Sequence, residues 1–183
     1  MRGGGYDQRE GLSVYGSRQP YLPLEARPDV LVFQTPPLRE DIEVTGAIEA
    51  RLWVATDGLD TDFTIKLIDL CPPSEDYPQG FALNLTDRIL RCRYRDSWAH
   101  PTPMTPGQVC PIVVTAFPTS NLFKAGHSIR LDISSSNFPR FDVNPNTGAP
   151  AGVGLKRRVA RNKVWLDAAR PSYVLLPVIP ARA

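Results

Sequence analysis

Short stretches of the chain alternate between apolar and polar residues. In residues 42–56, IEVTGAIEARLWVAT, apolar side chains recur at alternate positions, and Glu, Thr and Arg stand between them. A period of two is typical of a β-strand that buries one face and leaves the other in water. Gly46 interrupts the stretch, which predicts a bulge or a bend there.

Two further stretches repeat this alternation. Residues 62–70, DFTIKLIDL, carry apolar residues on one face, with Asp69 at the end of that face. Residues 127–134, HSIRLDIS, place Arg130 and Asp132 opposite three aliphatic residues. Both are predicted to be strands, and Arg130 and Asp132 are predicted to point outward.

Other strand-like stretches complete the pattern. They cover residues 29–33, 81–95, 109–117, 162–167 and 172–179. Residues 81–95 are predicted to be a strand pair with a turn at Thr86-Asp87. Nineteen prolines and 13 glycines break the chain at short intervals and leave no room for long helices. Eight or nine short strands without a helix predict an all-β fold, an antiparallel β-sandwich or jelly roll.

Length and charge limit the function classes. The chain has 183 residues and a formal net charge of +2, which predicts one domain with a nearly neutral surface. Residues 1–26 lack periodicity and are predicted to form an extended arm or linker before a domain that covers residues 27–183. The near-neutral balance argues against a nucleic-acid or membrane partner. The basic residues 156–158, with Arg161 and Lys163, are interpreted as a solvated loop or strand edge.

Cysteine usage predicts a reducing compartment. Cys71, Cys92 and Cys110 are far apart and form no Cys-x-x-Cys motif, so we interpret them as free, buried thiols. The polar start, MRGGGYDQRE, does not resemble a signal peptide, and no apolar run is long enough to span a membrane. We therefore expect a cytoplasmic protein.

One stretch could supply a catalytic nucleophile. Residues 11–16, GLSVYG, resemble a nucleophile elbow around Ser13. Such an elbow requires a strand before the serine and a helix after it, and the sequence predicts neither here. His100 lies in a predicted turn, and His127 starts a strand and is predicted to face solvent. Neither stands near a carboxylate in the sequence, and two lone histidines do not make a zinc site. We expect no catalytic, cofactor-binding or metal-ligating residue.

Three carboxylates share one turn, TDGLDTDF. Asp57, Asp60 and Asp62 could bind calcium through their oxygen atoms, although the spacing of an EF-hand is absent. Asp residues in turns more often bond to nearby backbone groups, which is the interpretation we favour.

The stretch RLDISSSNFPRFDVNPNTG, residues 130–148, concentrates hydrogen-bonding side chains at the end of a strand. Phe138 and Phe141 are predicted to anchor this corner and Arg140 and Asp142 to form an ion pair, and Asn144, Asn146 and Gly148 can take positive φ at little cost. We interpret the corner as structural or as part of an interface. Its candidate residues are Ser135, Asn137, Phe138, Arg140, Phe141, Asp142 and Asn146.

The same stretch, extended to GHSIRLDISSSNFPRFDVNPNTG, resembles the C-terminal domain of the X-Pro dipeptidyl-peptidase and CocE/NonD family of serine hydrolases. RPDVLVFQTPPLREDIEVTGAIEARLWVATDGLDTDFTIKLIDL, NLTDRILRCRYR and DAARPSYVLLPVIP agree with it in order. The resemblance implies a jelly-roll sandwich of the galactose-binding-like type. It also implies that the catalytic Ser, Asp and His belong to a preceding α/β-hydrolase domain, on which this domain packs in cis or trans. No catalytic residue can be transferred to this sequence.

The resemblance leaves two questions about surfaces. If docking is real, Trp53, Trp98, Phe138 and Phe141 are candidate contact residues, although a core role is favoured for each, and an uncovered apolar face predicts dimers or larger oligomers. The alternative is a stand-alone carbohydrate- or ligand-binding module, for which Tyr94 and Trp98 could form the aromatic platform.

Overall fold

The chain folds into a sandwich of antiparallel β-sheets. The computed structural model describes residues 7–12, 17–150 and 156–180. The strands of the described part are β1 (Val30–Gln34), β2 (Ile42–Gly46), β3 (Glu49–Thr56), β4 (Asp62–Cys71), β5 (Phe81–Arg91), β6 (Cys110–Thr115), β7 (Thr119–Phe123), β8 (Ser128–Ser134), β9 (Asn162–Trp165), β10 (Tyr173–Leu175) and β11 (Val178–Ile179). Helical structure in these residues is limited to two single 3-10 turns, Leu24–Ala26 and Cys92–Tyr94.

The first sheet has the order β1-β8-β4-β5, with every neighbour antiparallel. Its inner face carries the aliphatic residues that alternate along β4 and β8, such as Ile65 and Ile133, which pair directly. β-branched residues favour such pairs because their stiff side chains pack well on a pleated surface.

Two smaller sheets accompany the first one. The second sheet has the order β10-β3-β6, with β9 alongside the far end of β3, and the third has the order β11-β2-β7. Consecutive strands connect the two, and β2 of the third sheet ends at Gly46, where φ is +139°, shortly before β3 of the second sheet begins. A Cβ at this position would lie 2.9 Å from Cγ of Pro177, so only glycine fits. The bend predicted at Gly46 is confirmed.

The hydrophobic core fills the space between the sheets. Its buried members include Val44, Ile48, Leu52, Val54, Phe63, Ile65, Leu67, Ile112, Val114, Phe123, Leu131 and Ile133. Full burial of one large aliphatic or aromatic side chain stabilises the fold by about 1.5–3 kcal/mol, so this cluster is the main driving force for folding.

The all-β sandwich predicted from the alternation is confirmed, and its galactose-binding-like type stays a prediction. The strand pair expected within residues 81–95 is wrong, because residues 81–91 form one strand. A register shift opposite Leu67 and Ile68 absorbs the irregularity as a bulge. Strand β7 was not predicted. Within the described ranges, no helix has the length and apolar character needed to cross a membrane.

Candidate functional site: a covered polar face and its corner

The outer face of the first sheet is polar but buried. Lys66 of β4 and Arg130 and Asp132 of β8 point to this face, and their exposed fractions are 2%, 0% and 5%. Arg130 and Asp132 therefore point outward as predicted, but they lie under a cover and not in solvent. Buried charges are stable only when they are paired and hydrogen-bonded, so whatever covers this face must supply partners.

The N-terminal arm is one cover. Gln8 is buried and accepts a hydrogen bond from Lys66 Nζ through Oε1 (2.8 Å). Its backbone N–H donates to the carbonyl of Ala82 on β5 (3.0 Å), which fixes the arm on the sheet edge. Glu25, in the first 3-10 turn, forms an ion pair with Arg130. The arm thus supplies one partner each to the ammonium and the guanidinium that the strand pattern places under it.

Lys66 has a strongly lowered pKa for a buried cationic side chain. Burial lowers its pKa from 10.5 to about 8, and the carboxylates of Asp87 and Asp132 oppose this effect. Desolvation disfavours the charged form, so the ammonium is held at a cost to stability. The residue is therefore a sensitive probe of whether the face stays covered.

The corner at residues 134–148 is the second cover. Asn137 Nδ2 donates to Asp87 Oδ2 (3.1 Å), and Arg140 Nε lies 2.7 Å from Asp87 Oδ1. The predicted ion pair between Arg140 and Asp142 is therefore replaced by one between Arg140 and buried Asp87. Asp87 pairs with Lys66 across β4 and β5, so the corner reaches the same polar cluster as the arm.

A second attachment fixes the far end of the corner. Asn144 is buried, and its Nδ2 donates to Asp60 Oδ2 (3.0 Å) and Asp62 Oδ1 (2.7 Å). Arg93 Nε donates to Asp60 (2.7 Å), and Arg91 donates two hydrogen bonds to Asp62. Burial raises the pKa of Asp62, which the contacts from Arg91 and Asn144 oppose.

This pairing decides between the two interpretations of the aspartate turn. Asp60 and Asp62 each bond to an arginine, and Asp57 bonds to Arg158 (3.1 Å) and to the backbone N–H of Arg161. Each of the three carboxylates therefore has its own arginine, and the point at which Asp60 and Asp62 meet is occupied by the amide of Asn144. The arrangement favours turn stabilisation over a calcium site.

The remaining candidate residues of the corner divide into bonded and exposed ones. Ser135 Oγ accepts a hydrogen bond from Asn162 Nδ2 (2.6 Å), and Asn146 has the predicted positive φ, at +58°. Phe138 is 40% exposed and Asp142 is exposed, so neither belongs to the core. Phe141 is half-buried, with the guanidinium of Arg140 5.7 Å from its ring centre. The hydrogen bonds and ion pairs that attach the corner thus come from its amides and Arg140, and the anchoring role of Phe138 and Phe141 stays a prediction.

The candidate catalytic residues are not assembled in the described part of the chain. Ser13 lies outside the described residues. His100 is exposed in a turn that Ser97 Oγ caps by accepting a hydrogen bond from its N–H (3.1 Å). The expectation that His127 faces solvent is wrong, because the residue is partly buried and its Nδ1 lies 2.8 Å from Asp69 Oδ1. His127 and Asp69 are 58 residues apart, so only the pairing of β4 with β8 could have revealed this contact.

The outer face of the second sheet is open and rich in apolar side chains, and we call it the aromatic face. It consists of the residues that alternate with the core positions of β3 and their neighbours across the strands: Glu49, Arg51, Trp53, Pro111, Val113, Thr115, Trp165, Tyr173 and Leu175. Val113, Tyr173 and Leu175 are between 43% and 47% exposed. Trp53 is half-buried on this face, and Trp98 elsewhere is 70% exposed, so the core role favoured for both is wrong.

Comparison with known proteins places the fold in a family. The family description "X-Pro dipeptidyl-peptidase C-terminal non-catalytic domain" matches residues 6–175. The cocaine esterase of Rhodococcus sp. (strain MB1 Bresler) is 39% identical over 162 residues, which are 86% of this chain and 27% of that protein.

Solved structures give the same result. An α-amino acid ester hydrolase matches 96% of this chain with a TM-score of 0.82 and 32% identity, and an aminopeptidase from a marine sediment Thaumarchaeota archaeon matches 86% with a TM-score of 0.80 and 34% identity. The chain spans about a quarter of each of these relatives, 27% in every case. It therefore belongs to the family of X-Pro dipeptidyl-peptidase C-terminal non-catalytic domains.

Proposed function

We propose that this domain packs on an α/β-hydrolase domain through its aromatic face and stabilises it, while that domain hydrolyses an acyl ester or a peptide bond. The observation that carries the proposal is the family match over residues 6–175, to a domain described as C-terminal and non-catalytic. The coverage of about a quarter of each relative supports it, because three quarters of those proteins remain for the catalytic part.

The choice of the aromatic face rests on what covers the two sides of the sandwich. The arm and the corner already cover the outer face of the first sheet. The outer face of the second sheet has no such cover in the described residues, and it exposes Val113, Tyr173 and Leu175 around Arg51. Interfaces are enriched in aromatic residues and arginine, and large apolar patches mark them on otherwise polar surfaces.

A chimera tests the docking. The chain replaces the matched quarter of the Rhodococcus cocaine esterase, and esterase turnover and thermal stability of the chimera are measured. We expect an active chimera, in which Val113→Glu combined with Tyr173→Glu lowers stability and turnover. Leu12→Glu, at a position of the arm that is 90% exposed, is the control and should change neither. Loss of stability with Phe138→Glu instead would assign the contact to the corner.

The second candidate is a stand-alone carbohydrate- or ligand-binding module. Tyr94 and Trp98 favour it, because their rings stack with centres 6.0 Å apart at 19° and Trp98 is 70% exposed. An exposed aromatic surface of this kind suits the apolar face of a sugar. Titration with mono- and oligosaccharides, followed by tryptophan fluorescence in the chain and in Trp98→Ala, separates this function from docking.

We place the protein in the cytoplasm and expect self-association of the isolated domain. The three free cysteines support a reducing compartment. An aromatic face without its hydrolase partner supports dimers, because isolated apolar patches associate. Light scattering at increasing concentration checks this, and a monomer at high concentration would contradict it.

A further inference from the structure

Three side chains of different chemistry meet where β4 ends. Asp69 and Cys71 are two positions apart on β4 and therefore share one face of the sheet. His127 directly precedes β8, and since Ser128 pairs with Leu70, it lies beside Cys71. One donor atom from each of the three residues lies within 4.8 Å of the other two.

We propose that Asp69, Cys71 and His127 form a binding site for a zinc ion, with the fourth position left to water. A thiol, an imidazole and a carboxylate are the donors that zinc takes in proteins. The thiol disfavours calcium and magnesium, which require oxygen ligands. Ligand atoms around a tetrahedral zinc lie about 3–4 Å apart, so the three donors need only small rotations to converge.

The surroundings of the three residues fit such a site. Asn121 Nδ2 donates to Asp69 Oδ2 (3.1 Å), which turns Oδ1 toward His127, and metal ligands are usually oriented by hydrogen bonds of this kind. Asp69 is buried, whereas Cys71 and His127 are only partly buried, so an ion can reach the site from water. The site does not involve the aromatic face, which the proposed docking would cover.

The charges of the proposed ligands also suit a divalent cation. Ionised Asp69 and a Cys71 thiolate together carry two negative charges, which match the charge of Zn²⁺. A divalent cation stabilises the thiolate and neutralises Asp69 at the same time, and its binding releases the thiol proton to solvent.

The test is titration of the reduced, metal-free 183-residue protein with Co²⁺, a spectroscopic substitute for zinc. We expect one equivalent to bind with a near-ultraviolet thiolate-to-cobalt band and visible bands typical of four-coordination. Zn²⁺ should displace the Co²⁺ and raise the melting temperature. The absence of a thiolate band, or of a shift in melting temperature with Zn²⁺, would overturn the proposal.

Variants show whether the proposed ligands are used. Cys71→Ser should remove the thiolate band, and Asp69→Asn and His127→Gln should weaken binding at least about tenfold, since even indirect metal contacts are worth that much. Cys110→Ser is the matched control, because Cys110 is also a partly buried free thiol. A band that Cys71→Ser retains would overturn the proposal. The melting temperature of each metal-free variant shows whether it folds, and no step requires a hydrolase domain, so the result is independent of the proposed function.

Discussion

Arg93 donates a hydrogen bond from Nε to Asp60 Oδ2 at 2.7 Å, and the same carboxylate accepts the backbone N–H of Arg93 at 3.0 Å. Asp60 is fully buried, and Asn144 of the corner donates to it as well. One carboxylate therefore connects the turn before β4, the 3-10 turn after β5 and the corner. Three parts of the chain depend on a single side chain for their relative position.

Asp60→Ala should strongly destabilise the domain. Removal of this carboxylate leaves the guanidinium of Arg93, which is only 11% exposed, without its anionic partner. Breaking a buried ion pair from one side costs about 3–5 kcal/mol. The free energy of unfolding in urea measures the loss. Asp76→Ala, at an exposed loop position, is the control and should stay within about 0.5 kcal/mol of the unmodified chain. Equal effects of the two substitutions would contradict the anchoring role.

Gly148→Ala should destabilise the corner more than Gly107→Ala destabilises its own turn. Both glycines have nearly the same positive φ, +78° and +77°. A Cβ on Gly148 would lie 2.8 Å from the Cβ of Leu59, whereas a Cβ on Gly107 would contact nothing within 4 Å. The backbone strain common to both is about 1–2 kcal/mol, and the steric contact adds about 1 kcal/mol or more at Gly148 only. Urea unfolding of both variants gives the difference, and equal losses would show that the corner gives way to the added methyl group.

Stability should rise with pH above 8 because of Lys66. Its folded-state pKa of about 8 lies below the 10.5 of an exposed lysine. Between these values the unfolded chain binds a proton that the folded chain has released, so raising the pH favours folding. Below pH 8 both states are charged and the cost of the buried ammonium is fully present. The gain over the whole window is about 3 kcal/mol.

Urea unfolding at several pH values, in the unmodified chain and in Lys66→Met, measures this contribution. The difference in unfolding free energy between the two proteins should change steadily from pH 8 to pH 10. Parallel curves would mean that the ammonium is better solvated than its burial implies.

The three cysteines should differ in reactivity. Cys92 is fully buried, and burial raises its thiol pKa strongly, whereas Cys71 and Cys110 are partly exposed. Alkylation with iodoacetamide under native conditions, followed by mass spectrometry, should label Cys71 and Cys110 and leave Cys92 unlabelled. In urea all three should react. Labelling of Cys92 as fast as Cys110 in the folded protein would contradict its burial.

The interpretation of all three cysteines as buried thiols is correct for Cys92 only, because Cys71 and Cys110 are partly exposed.

Periodicity predicted the faces of the strands but not their surroundings. Ile129, Leu131 and Ile133 are inward as expected, because an aliphatic residue at every second position has only one face on which to be buried. Arg130 and Asp132 occupy the positions between them, and this sequence pattern is the same whether water or another segment of the chain covers the outer face. The arm that covers them has no periodicity of its own.

The sequence singled out the corner but not the partners of its side chains. Asn137 and Arg140 bond to Asp87, 50 and 53 residues earlier in the chain, and no local rule connects them. Of the three positions expected to take positive φ easily, Asn146 and Gly148 do so and Asn144 does not. Local signals thus gave the shape of the corner, and its attachments depend on the register of β4 and β5.

The contacts of Gln8 and Glu25 with the first sheet have a consequence for how the domain comes apart. If the arm detaches, the ammonium of Lys66 and the guanidinium of Arg130 each lose a partner, and water reaches the face that the arm covered. The arm therefore contributes to the stability of the sheet although it belongs to no strand of it. A shortened chain that starts at the first strand should keep the apolar core and unfold at a lower urea concentration than the full chain.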